Sequence, residues 1–178
     1  EMDRMRVHVE NSMKDGAMGI GSSLIYAPGD YASTEELIEL SKVASKYGGM
    51  YISHLRSEGT NLLEALEELI SISRNANIPA EIYHLKASRE PNWSKLDEVI
   101  KRVEEVRAEG LKITADIYTY NASSTGLTGV IPTWVQEGGH KAWINRMKDP
   151  QVRPRLLADI REQLDEQPPE GILMVGFK

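Results

Sequence analysis

Between Met18 and Tyr120, short apolar segments alternate with amphipathic ones at about thirty-residue spacing. That rhythm predicts strand, helix, strand in parallel βαβ units. The first helix is announced by Ser33 and Glu36 in a capping box, in which the serine side chain bonds the N3 amide and the glutamate reaches back to the cap amide. Leu37, Leu40, Ala44 and Tyr47 follow at helical spacing, Gly48-Gly49 ends the helix, and a strand is predicted over 50–53, stopping at His54. A second helix over 60–76 places Leu62, Leu66, Leu69 and Ile70 on one face, with Glu64, Glu67, Glu68 and Arg74 towards water. Pro79 opens a strand over 80–83 that stops at His84. A third helix over 92–109 buries Leu96, Val99, Ile100, Val103 and Val106 and ends at Gly110, and its strand, 111–115, stops at Asp116.

The pattern blurs at both ends. Residues 17–24 read as a further strand, weakened by Gly19 and Gly21, because glycine in a strand costs entropy and packs nothing. The spacing of Gly16, Gly19 and Gly21 fits neither a P-loop nor a dinucleotide fingerprint, so these glycines are expected to allow close backbone approach near the site. After Tyr120 the alternation fails. Residues 121–132 are rich in Ser, Thr and Gly, and the stretch that follows, to 169, is polar and predicted helical, with Asp149 as a cap, Pro150 at the first helical position, and Leu156, Leu157, Ile160 and Leu164 as the apolar face. The organisation expected is therefore residues 1–120 as βα units and 121–178 as an insertion or lid followed by the start of another strand over 171–178.

Composition narrows the function classes. The chain has 178 residues, 40% of them hydrophobic, which is enough for a packed core. Lys and Arg number 21 against 27 Asp and Glu, a net charge of −6 without basic clusters, so nucleic acid is not an expected partner. No run of about 18 apolar residues exists to span a bilayer, and the first residues form no signal peptide, so no membrane partner and a cytoplasmic location are expected. Cysteine is absent, which removes disulfides, thiolate nucleophiles and cysteine-rich zinc sites.

Three successive strands end in a residue able to bind a metal or a proton: His54, His84 and Asp116, separated by 30 and 32 residues. In parallel α/β folds the C-terminal strand ends share one rim, so these side chains should converge there. Two neutral imidazoles supply part of a catalytic zinc site, which uses about three protein ligands and leaves a position open. Asp116 could bind metal, orient a neighbouring side chain or cap the next turn. His8 and His140 are expected at the surface.

Four stretches resemble the D-aminoacylase (N-acyl-D-amino-acid deacylase) family of the amidohydrolase superfamily: GAMGIGSSLIYAPG at 16–29, YISHLRSEG at 51–59, HLK at 84–86 and DIYTYNASSTG at 116–126. The resemblance implies a partial (β/α)8 TIM barrel, of which these strands are about the fourth to the seventh. It implies that His54 and His84 hold zinc, that Lys86 and Tyr118 grip the substrate carboxylate with Arg56 and Ser123 as further substrate-binding residues, and that Asp116 supports the ligands from behind. The implied reaction is hydrolysis of an N-acyl-D-amino acid by metal-activated water. The family's first-strand His-x-His, its ligating cysteine and its eighth-strand aspartate have no counterpart here, so no catalytic base is assigned and the isolated chain is expected to be inactive. A barrel of this type takes about 250 residues, so the chain is expected to be a central fragment that associates into homo-oligomers through open strand edges. The alternatives are a small flavodoxin-like module binding a phosphate or nucleotide at its glycine turns, and a catalytically dead barrel kept as a scaffold.

Overall fold

The computed structural model describes residues 1–166 and 168–176. The chain divides into two compact units: residues 1–25 with 29–119, and residues 26–28 with the segment from 120 onward.

The first unit opens with a helix that the βα rhythm does not announce, α1 (Met2–Lys14). Its apolar positions Met2, Met5, Val9 and Met13 recur at helical spacing, and Met13 is buried in the core. Arg6 ties α1 to the next helix through Glu39 at 2.6 Å. Then come β1 (Gly19–Ser23), α2 (Thr34–Ser45), β2 (Met50–His54), α3 (Leu62–Ala76), β3 (Ala80–Ile82), α4 (Lys95–Ala108) and β4 (Ile113–Ala115). Ser33 caps α2, its side chain accepting from the Glu36 amide at 3.2 Å. Asn77, in the left-handed region with φ 49°, ends α3.

All four strands are parallel and lie in sequence order, β1-β2-β3-β4. Helices α2, α3 and α4 pack side by side on one face. That face carries the row Ile20, Tyr51, Ala80 and Ile113, the last three of which are fully buried. The opposite row, Gly21, Ile52, Glu81 and Thr114, lies on the open face, where Thr114 donates to Glu81 at 2.8 Å. A flavodoxin-like sheet reverses its strand order and is covered on both faces. This sheet does neither.

Gly19 explains why a glycine-rich stretch forms a strand. A Cβ there would overlap the carbonyl oxygen of Met50, its register partner. At Gly19 the close approach is thus between β1 and the start of β2, at the end of the strand remote from His54, whereas Gly21 lies in a recess it shares with His54.

Three further expectations change. Glu68 turns inward to an arginine instead of facing water, leaving its side chain only 10% exposed. Leu96 and Ile100 remain exposed at 36% and 46%. Ile100 lies two residues, or about 200° of helical turn, from Arg102, which pairs with Glu67 of α3, so it occupies the flank of α4 turned away from that neighbour.

The helix face also carries a hydroxyl chain. Tyr51 and Ser22 share a hydrogen bond of 2.7 Å, Ser22 and Ser53 one of 3.0 Å, and Ser53 donates to the His54 carbonyl at 3.0 Å. Burial pushes the Tyr51 phenol above its ordinary 10.0, against the opposing effect of its hydroxyl partners. A raised folded-state value means stability that is complete below the unfolded value and lost as pH rises through the folded one. Urea unfolding should therefore show stability falling above pH 10.0, with a shallower fall for Tyr51→Phe; identical slopes for both proteins would refute this.

The second unit is helical, as its polar pattern indicates. After a 3-10 turn at Leu127–Val130 come α5 (Thr133–Gln136), α6 (His140–Lys148) and α7 (Arg153–Glu166), then a 3-10 turn at Pro169–Gly171. α7 starts later than Pro150 because Asp149 caps a preceding turn, its side chain accepting from the Gln151 amide and its carbonyl from Val152 and Arg153. Val135 and Leu156 are buried. Residues 172–176 form no strand, with Leu173 and Val175 both 83% exposed. An apolar run becomes a strand only by pairing with another, and no strand pairs with it among the described residues; Phe177 and Lys178, the end of that predicted strand, lie outside them. Among the described residues no helix is long and apolar enough to cross a membrane.

Candidate metal centre

β2 delivers His54 at its last position, buried at 8% exposure. β3 ends at Ile82, and His84 follows two residues later in the left-handed region, φ 43°. A non-glycine residue there is strained. The next strand supplies the restraint: the Asp116 carboxylate accepts from the His84 amide, the Asp116 carbonyl accepts from Leu85 at 2.9 Å, and the Asp116 amide donates to Ile82 at 3.2 Å. Asp116 therefore fixes the backbone that carries His84.

The two imidazoles meet edge to face, with centroids 4.4 Å apart and planes at 82°. Between them stands Glu58, a residue the sequence reading left out although it lies four positions after His54 in the 51–59 stretch. Its Oε1 is 2.9 Å from His84 Nδ1 and 3.5 Å from His54 Nδ1. The loop is pinned by a bond from the Ser88 amide to the Glu58 carbonyl at 2.7 Å. Burial pushes the His54 imidazole below its usual value; Glu58 opposes this, and His84 and Lys86 add to it. A depressed value favours the neutral ring, the form that binds metal.

Donor atoms of His54, Glu58 and His84 all lie within 4.8 Å of one another. Zinc bonds to nitrogen and oxygen of about 2.0–2.2 Å place ligands roughly 4 Å apart or less, so small side-chain rotations would let these three close on one ion. The donor set fits a divalent metal. A recess of about 310 Å3 opens beside it, lined by Gly21, Ser22, Ser23, Ile52, His54 and Tyr83.

Two other expected site residues come to this rim. Lys86 Nζ lies 2.5 Å from Glu58 Oε1 and 5.4 Å from the Tyr118 ring centroid. The Tyr118 ring is 6.3 Å from that of His84. Arg56 behaves differently. Its guanidinium forks onto Glu68 at 2.8 and 2.9 Å and donates to the carbonyls of Asp30 and Ala32 at 2.8 and 2.9 Å. It braces the β1–α2 loop against α3, and its donors are engaged there and not at the rim. Ser123 lies exposed in the second unit. His8 and His140 are exposed, as expected.

The same segment recurs in known proteins. A D-aminoacylase from Alcaligenes xylosoxydans xylosoxydans is 37% identical over 127 residues, 71% of this chain and 26% of its own length. Over that length the chain is a relative of the D-aminoacylases. Among solved structures, a D-aminoacylase mutant in complex with copper chloride is 32% identical with a TM-score of 0.64, matching 67% of this chain and 25% of its own. The N-acyl-D-glutamate deacylase of Bordetella bronchiseptica, complexed with zinc and a phosphonate inhibitor, is 28% identical with a TM-score of 0.65 over the same shares. The chain thus spans about a quarter of the length of the D-aminoacylases it matches. No family model matches it.

Proposed function

We propose that this chain is the central part of a zinc-dependent N-acyl-D-amino-acid amidohydrolase, contributing four consecutive βα units of a (β/α)8 barrel and part of a helical lid. The observation that carries the reading is the meeting of His54, Glu58 and His84 at the C-terminal rim of a parallel sheet. Sequential strand order with helices on one face supports the barrel, whose interior would be lined by the open face.

His54 and His84 would hold the metal, with Glu58 beside them, and Asp116 positions His84 through its backbone. A bound zinc ion supplies Lewis acidity towards the amide carbonyl and makes a water nucleophilic at neutral pH. Lys86 and Tyr118 face the same rim and suit the substrate carboxylate, a charge-assisted donor and a hydroxyl for an anion. Arg56 is reassigned as a brace. The first-strand histidines, the cysteine and the eighth-strand aspartate of the family would come from elsewhere in the parent, which releases a carboxylate and a D-amino acid.

The test separates parent from segment. The full-length protein is expected to hydrolyse N-acetyl-D-amino acids and lose activity on chelation. The isolated 178-residue chain is expected to bind zinc without turnover; turnover by the segment, abolished in His84→Ala, would overturn the reading. With no strand paired to either sheet edge among the described residues, the segment is also expected to associate, as light scattering would report.

A further inference from the structure

The most tightly held group in the donor cluster is an ammonium. Lys86 Nζ has three acceptors for its three protons: Glu58 Oε1 at 2.5 Å, His84 Nδ1 at 2.8 Å and the His84 carbonyl at 2.8 Å. Its side chain is 20% exposed. An ammonium only donates, so in this contact His84 Nδ1 accepts through its lone pair. Glu58 Oε1 and His84 Nδ1 therefore both aim lone pairs at one positive charge.

Those are the atoms a divalent cation would use. Two positive groups cannot share them, because their repulsion at such distances in a half-buried site is large. We infer that the Lys86 ammonium is an internal placeholder for the metal: it keeps Glu58 and His84 in the ligating form while the site is empty and is expelled when the ion enters. The inference rests on the proposed metal-dependent function. Expulsion has a direction. The ammonium already lies 5.4 Å from the Tyr118 ring centroid, so a side-chain rotation towards that ring frees its donors for an anionic ligand. Metal loading and anion capture are then coupled, and by linkage each strengthens the other. Lys86 acts here as a positioning residue whose occupancy of the site reports whether it is loaded.

A placeholder that holds the site nine-tenths of the time weakens apparent affinity about tenfold. The 178-residue chain and its Lys86→Met, Lys86→Arg and Glu58→Gln variants are titrated with Zn2+ against a chromophoric chelator at neutral pH, with matched circular dichroism as the folding control. Lys86→Met is expected to bind Zn2+ about tenfold tighter than wild type, Lys86→Arg within about twofold of it, and Glu58→Gln more weakly. In wild type, Zn2+ is expected to shift the Lys86 Cε–Hε NMR signals towards those of a free lysine. If wild type binds Zn2+ and Lys86→Met binds no tighter, with the Lys86 signals unmoved, the placeholder falls while the metal reading stands. If neither wild type nor any variant binds Zn2+, both fall.

Discussion

Replacing His84 by alanine in the full-length protein is expected to empty the metal site and to lower kcat/KM about a thousandfold or more. Losing a metal that stabilises developing charge costs several kcal/mol, and roughly 4 kcal/mol is about a thousandfold in rate. His54→Ala should behave alike, and the double variant should be little worse than either single one, because groups acting as one unit are not additive. Asp116→Ala is the instructive contrast. It keeps all three donors and removes the restraint on the His84 backbone, so its loss should be nearer the 10- to 100-fold typical of groups that orient a ligand. Metal content by atomic emission, measured beside the kinetics, checks the cause. Full zinc occupancy and wild-type turnover in His84→Ala would remove this histidine from the centre.

The second large effect is on stability. Leu66 is fully buried in α3, the middle helix of the layer, flanked by α2 and α4. Leu66→Ala should cost about 3–4 kcal/mol, the transfer of the lost methyl groups plus the cavity they leave. The urea midpoint should fall with no change in slope, since the surface exposed on unfolding is nearly unchanged. Ile100→Ala, on the exposed flank of α4, should cost less than about 1 kcal/mol, because little burial is lost. Equal costs at the two positions would mean that the flank is covered in solution.

The contrast between those residues marks what the sequence made legible. Periodicity located every helix from α2 to α4, and strand ends located His54, His84 and Asp116, because those signals depend only on neighbours along the chain. Which flank of a helix is covered depends on what comes to lie beside it, and so Leu96 and Ile100, apolar and in phase with Val99 and Val103, are nevertheless exposed. The same holds for Arg56 and Glu68: twelve residues apart and each solvent-loving in isolation, they pair across a loop and a helix. Glu58 is not legible in the sequence because a lone acid in a loop carries no signal until a second strand brings His84 to 2.9 Å. The start of the chain failed for a different reason. α1 has the apolar spacing of a helix, but its N-cap, Glu1, makes no side-chain cap hydrogen bond of the kind a capping motif announces.

The strut from Asp116 to His84 also sets a timetable. The donors His54, Glu58 and His84 are all translated before the residue that fixes the last of them, which follows His84 by 32 positions. Synthesis at about 5–20 residues per second makes that interval roughly 2–6 s. During it the nascent chain carries His54, Glu58 and His84 but lacks the carboxylate that holds the His84 backbone in its left-handed turn. The rim thus matures in two instalments, and docking of the fourth strand, rather than the arrival of these three side chains, is the moment at which the His84 turn is fixed.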